Sequence, residues 1–169
     1  MPDKQNSQKT QNVLILCTGN SARSILGEML INRLGESRFK GFSAGSTPTG
    51  KVNPFAVKLL EQKGYPIDGL RSKSWKEFSG EGAPEIHFVF TVCDNAAGET
   101  CPIWPGHPAK AHWGIPDPAN ATGTDDDILA AFKTAYEQLE KRIAAFVALP
   151  LDELDETTLK QKLDAIGKL

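Results

Sequence analysis

Cys17 and Arg23 stand in a C-x5-R spacing, enclosing Thr18, Gly19, Asn20, Ser21 and Ala22 and followed at once by Ser24. A thiol and a guanidinium so spaced can attack and hold an oxyanion, provided the chain between them forms a cradle. Asn12–Leu16 ahead of them is a continuous apolar run, and Ile25, Leu26, Met29, Leu30 and Leu34 behind them repeat at helical spacing, which predicts a strand-to-helix turn. Successive backbone N–H groups of such a turn point inward, and the helix N-terminus adds roughly half a positive charge. Thr18–Ser24 is therefore read as an oxyanion clamp, in which Arg23 supplies a planar fork for two oxygens. The same field is expected to stabilise the Cys17 thiolate, because comparable settings lower a cysteine pKa from ~8.5 to between ~3.5 and ~7.5. Ser24 is placed to donate a hydrogen bond to that sulfur. Gly19 is expected to take a backbone angle other residues resist, and Asn20 to tie the loop by side-chain hydrogen bonds. The bland alternative is a buried cysteine at a strand end beside a solvated arginine. The flanking strand and amphipathic helix weigh against it, and the G-x-x-x-x-G-K-[ST] pattern of nucleotide loops is absent.

The elements that must position this loop follow from the rest of the pattern. A short strand is expected over Gly41–Ala44, then a turn-rich stretch from Gly45 to Asn53. Pro54 suits the first turn of a helix carrying Ala56, Val57, Leu59 and Leu60, ended near Gly64. Leu70–Phe78 holds a short helix, Ile86–Cys93 a second strong strand, and Ala109–Gly114 another. Asp94–Pro108, without periodicity, reads as a long loop. Thr124 is the expected N-cap of the longest helix, opened by Asp125, Asp126 and Asp127 and stopped by Pro150. Its apolar face is Ile128, Leu129, Phe132, Tyr136, Leu139, Ile143, Phe146 and Val147. Strands alternating with helices imply a parallel α/β sheet with right-handed crossovers. We expect a flexible N-terminal segment over 1–11, one domain over 12–149 and a charged, helical tail over 150–169.

Composition narrows the class. The 169 residues carry 19 Lys+Arg against 21 Asp+Glu, a formal charge of −2 with no basic block, which argues against nucleic-acid or anionic-membrane partners. No apolar run reaches the ~18–20 residues of a membrane span, and the polar first eleven residues lack the apolar stretch of a secretory signal. Three cysteines are too few for a disulfide scaffold, so catalytic, redox-active or buried thiols in the cytoplasm are expected.

Cys17-Thr18-Gly19-Asn20-Ser21-Ala22-Arg23-Ser24, with Phe42-Ser43-Ala44-Gly45 after it, resembles the low-molecular-weight protein tyrosine phosphatase superfamily, and within it the arsenate reductase branch. The resemblance covers roughly Asn12 to Leu149. It implies a four-stranded parallel sheet of order 2-1-3-4 flanked by helices on both faces. It also implies roles: Cys17 as nucleophile, Arg23 as clamp, and Asp117 of Asp117-Pro118 as the general acid that protonates a leaving oxygen. Ligands in open α/β sheets bind beyond the carboxyl ends of the strands, and Cys17, Cys93 and Asp117 all follow predicted strands. Phosphatases of this type place aromatics after the Asp-Pro pair to flank a tyrosine ring; Ala119 and Asn120 stand here.

Cys93 and Cys101, spaced C-x7-C, are the mark of reduction. By the resemblance, Cys17 attacks arsenic, Cys93 attacks the Cys17 sulfur to release arsenite, and Cys101 then takes over Cys93 in a disulfide open to an external reductant. Thioredoxin, or glutaredoxin with a small thiol, fits that role, and no metal or organic cofactor is required. A disulfide needs Cα atoms ~4.4–6.8 Å apart, whereas seven extended residues span ~25 Å, so the 94–100 loop is expected to fold back or rearrange. Cys93, Cys101, His107 and His112 also admit a zinc reading, although short C-x2–4-C spacing is absent. Some relatives hold potassium beside the cradle. Ser74 replaces the acid such a site uses, and Asn20, Glu28 and Ser43 are expected to brace the loop instead. Two other functions remain open: a phosphatase acting on phosphotyrosine or small phosphoesters, needing neither Cys93 nor Cys101, and a non-enzymatic oxyanion sensor.

Overall fold

A computed structural model describes residues 10–93 and 107–169. Strand β1 (Gln11–Cys17) lies at the centre, because Val13, Leu14, Ile15 and Leu16 are all but fully buried and need cover on both faces. It pairs in parallel with β2 (Phe39–Gly45) on one side and β3 (Phe88–Thr91) on the other, and β3 pairs with β4 (Ala109–His112), giving the order β2-β1-β3-β4. That is the order the family resemblance implies.

Alternate side chains of a strand point to opposite faces. Val13 and Ile15 pack against helices α1 (Arg23–Leu34), α2 (Pro54–Gln62) and α3 (Asp125–Val147), whose apolar stripes join one core with Phe88, Phe90 and Phe146. Leu14 and Leu16 meet Ala44, Phe78, Ile86 and Val89 on the other face. Helix α4 (Glu156–Ile166) packs against β4 and α3. None of the helices among the described residues is long and apolar enough to cross a membrane.

The short helix expected within Leu70–Phe78 is one 3-10 turn, Trp75–Phe78, capped by the Ser74 side chain. The stretch before it is extended and bridges Ser74 to Gly45, because the Lys73 N–H donates to Asn20 Oδ1 and the Lys73 carbonyl accepts from the Gly45 N–H. The long helix ends at Val147 with Ala148 as its C-cap, just ahead of the expected stop at Pro150. The tail folds into a 3-10 turn, Leu151–Glu153, and then α4.

Candidate active site

β1 ends at Cys17 and α1 begins at Arg23, so the loop between them sits at the carboxyl edge of the central strand. Its carbonyls are turned outward. Thr18 accepts from the Thr47 N–H (3.0 Å), Gly19 from the Thr49 N–H (3.0 Å) and the Ser72 hydroxyl (3.0 Å), and Ser21 from the Asn53 N–H (2.8 Å). In a trans peptide the following N–H points the opposite way, so the N–H groups of Gly19, Asn20 and Ala22 converge on the inside. Helix α1 adds its positive end there, with no side-chain cap and no acid in its first turn.

The left-handed residue of the loop is Asn20, at φ 47°, and not Gly19. Asparagine tolerates this region through local hydrogen bonds. Asn20 is wholly buried and donates to the hydroxyls of Ser24 (2.8 Å) and Ser43 (3.0 Å), while its Oδ1 accepts from the Lys73 N–H (2.8 Å). The Ser24 hydroxyl oxygen thus accepts from Asn20, which leaves its own proton to donate. Gly19 serves close approach, since a Cβ there would come 3.3 Å from Thr49 Cγ2.

Ser43 donates onward to Glu28 Oε1 (2.5 Å), and Glu28 faces the buried Lys73 ammonium at 3.7 Å. Burial pushes the Lys73 pKa down, with Glu28 opposing. A potassium ion does not fit beside this carboxylate, because the chain's own ammonium already faces it. The sequence reading looked to Ser74 and missed Lys73. An ammonium stem between two polar neighbours carries no periodic signal.

Arg23 bridges two strand ends. Nη1 donates to the Ile115 carbonyl (3.0 Å), Nη2 lies 3.3 Å from Asp117 Oδ2, and the buried Nε has no partner among the described residues. That Nε is the donor an oxyanion oxygen would take. Asp117 itself caps the 3-10 turn Pro118–Asn120 by accepting from the Ala119 N–H.

Cys17 and Cys93 are both buried thiols outside any disulfide, 6 % and 4 % exposed. They are joined by a side-chain hydrogen bond, and the Thr18 hydroxyl lies 3.6 Å from the Cys93 sulfur. The expected acidic Cys17 is not what this arrangement produces. The Cys93 hydrogen bond and burial push the Cys17 pKa well above its ordinary value, and the Arg23 charge and Thr18 N–H only partly offset them. A thiol whose proton is shared with a second sulfur in a water-poor site holds it more tightly.

The structure thus brings Cys17, Cys93, Arg23 and Asp117 to one edge of the sheet. Cys101 and residues 94–100 lie outside the described residues, and with Cys101 one of the four members of the zinc reading. Of its histidines, His112 shares a 2.7 Å hydrogen bond with Thr91 Oγ1, and His107 has φ 51°.

Residues 12–163 match the low molecular weight phosphotyrosine protein phosphatase family. An arsenate reductase from Halalkalibacterium halodurans is 35% identical over 134 residues, which is 79% of this chain and 93% of that protein. A solved arsenate reductase in the phosphate binding state superposes with a TM-score of 0.66 at 25% identity, covering 82% of this chain and 98% of that one. The tyrosine phosphatase Wzb from Escherichia coli K30, solved in complex with sulphate, gives 0.56 at 25% identity, covering 82% and 99%. The similarity extends to arsenate reductases and to a tyrosine phosphatase alike, and the chain belongs to the low molecular weight phosphotyrosine protein phosphatase family, alongside its arsenate reductases.

Proposed function

We propose that this protein reduces arsenate to arsenite, with Cys17 as the nucleophile, the Thr18–Ser24 backbone and Arg23 as the oxyanion clamp, and Asp117 as the acid. The observation that carries the reading is the hydrogen-bonded pair of buried thiols at the cradle. A phosphatase of this architecture uses one sulfur. A second, in contact with the first, supplies the electrons that reduction requires.

Arsenate has the shape and charge of phosphate, so the same inward N–H groups and guanidinium receive it. Cys17 gives up its proton and forms an S–As bond, and an arsenic–oxygen bond breaks with its oxygen leaving as water, protonated through Asp117. The Cys93 thiolate then attacks the Cys17 sulfur. The S–As bond breaks, its electron pair stays on arsenic, and As(V) leaves as arsenite while a Cys17–Cys93 disulfide remains. Both cysteines are buried, so an external protein does not meet that disulfide directly. Cys101 attacks Cys93, expels the Cys17 thiolate and carries the oxidising equivalents to a Cys93–Cys101 disulfide. A cytoplasmic dithiol reductant, thioredoxin or glutaredoxin with a small thiol, restores the three thiols. No metal or organic cofactor enters these steps.

Mass mapping of disulfides tests the scheme. Fully reduced protein given arsenate without external reductant should yield one arsenite per chain and a Cys93–Cys101 link. Cys101→Ser should stop at Cys17–Cys93. If no disulfide forms and no arsenite appears, while an aryl phosphate is hydrolysed, the protein is a phosphatase.

A further inference from the structure

β4 ends at His112, and the chain runs through Trp113, Gly114 and Ile115 to Asp117. This stretch is gripped from behind. Arg142 of α3, only 7 % exposed, donates from Nη1 to the carbonyls of Trp113 (3.0 Å) and Gly114 (3.1 Å) and from Nη2 to that of Leu169 (3.2 Å). Among the described residues no Asp or Glu side chain is paired with this guanidinium. Burying a cation is unfavourable, whereas its rigid fork fixes two separate segments at once. Helix α4 closes on the same stretch from the sheet edge. The wholly buried Trp113 donates from Nε1 to the Leu163 carbonyl (2.9 Å), and Leu163 and Ile166 are buried beside it. A Cβ at Gly167 would stand 2.6 Å from the His112 carbonyl and 2.9 Å from Trp113 Cδ1.

The other end of the stretch is the site. The Ile115 N–H donates to Val92 (3.1 Å), next to Cys93, its carbonyl accepts from Arg23, and Asp117 pairs with Arg23. We propose that Arg142, with α4 seated through Gly167, is a positioning clamp that sets the Ile115 carbonyl and the Asp117 carboxylate against Arg23. The inference rests on the roles given above to Arg23 and Asp117.

The experiment uses the full chain as wild type, Asp117→Asn, Arg142→Met and Gly167→Ala. The readouts are kcat/KM for aryl phosphates with phenols of increasing pKa, and phosphate affinity by calorimetry. Asp117→Asn should penalise the least acidic phenol most, since it removes leaving-group protonation. The clamp variants should show the same tilt, about tenfold more loss at that end of the series, with phosphate bound several-fold more weakly. A merely structural role scales every ester by the folded fraction, which tryptophan fluorescence reports. An equal loss across the series with unchanged phosphate affinity overturns the clamp. If Asp117→Asn leaves the series level, or no ester is hydrolysed, the acid reading fails and phosphate affinity alone decides. If Arg142→Met does not fold, Gly167→Ala, which keeps every hydrogen-bond donor, carries the test.

Discussion

Two sulfurs that share a proton cannot both be ready nucleophiles, and which one is released first decides the order of the chemistry. The Cys93 hydrogen bond is the largest influence raising the Cys17 pKa, ahead of burial, while Arg23 pulls it down. Removing the partner sulfur takes away the first and leaves the last. In Cys93→Ala the Cys17 thiolate should therefore appear at lower pH, and iodoacetamide should label Cys17 faster than in wild type throughout the neutral range. The pH profile of that labelling, read by mass spectrometry, checks it; an unshifted profile would mean that burial alone sets the pKa. Asn20 is the second decisive residue. Asn20→Ala strips partners from two buried hydroxyls and the Lys73 N–H and leaves alanine at φ 47°. Urea unfolding should show a loss of about 3 kcal/mol. At this scale the cysteine–arginine spacing was readable because its chemistry lies in residue type and separation alone. The role of Gly19 was not, because it depends on which loop residue takes the left-handed dihedral angle.

Elements with strong periodicity were legible and those fixed by tertiary bonds were not. β1 and α1 needed only an apolar run and a helical stripe, and α3 announced itself through Thr124 and three acids. The structure completes that cap reciprocally: the Thr124 hydroxyl accepts from the Asp127 N–H (3.2 Å) and the Asp127 carboxylate from the Thr124 N–H (3.0 Å). Thr124→Ala should lower stability by about 1 kcal/mol in urea unfolding without altering the site, since this end of α3 lies far along the helix from Arg142. The extended strap at 71–74 could not be read the same way. Its conformation is dictated by Asn20, Gly19 and Gly45, none of them near it in sequence. The same holds for Arg142, which reads locally as a surface charge on a helix and is in fact buried under β4 and the chain's last residues.

For the molecule as a whole, the sheet order places the Cys17–Arg23 loop and Cys93 at the ends of neighbouring strands, with the two sulfurs in hydrogen-bond contact. On the function proposed above, an oxyanion held by Arg23 and the loop N–H groups and the relay through Cys93 compete for the same Cys17. Inorganic phosphate, which fits the cradle and cannot be reduced by thiols, should therefore shield Cys17 from iodoacetamide. It should leave Cys93 labelling far less affected. It should also slow formation of the Cys17–Cys93 disulfide by added oxidant, by a factor that grows with occupancy as 1 + [phosphate]/Kd. Labelled-peptide mapping across a phosphate titration measures both. Equal protection of the two cysteines would mean that the anion closes the whole edge rather than one sulfur, and no protection of Cys17 would remove it from the cradle floor. Arg23→Lys should weaken the effect, because an ammonium replaces a two-oxygen fork with a point charge and leaves the Ile115 carbonyl and Asp117 to be satisfied by one group.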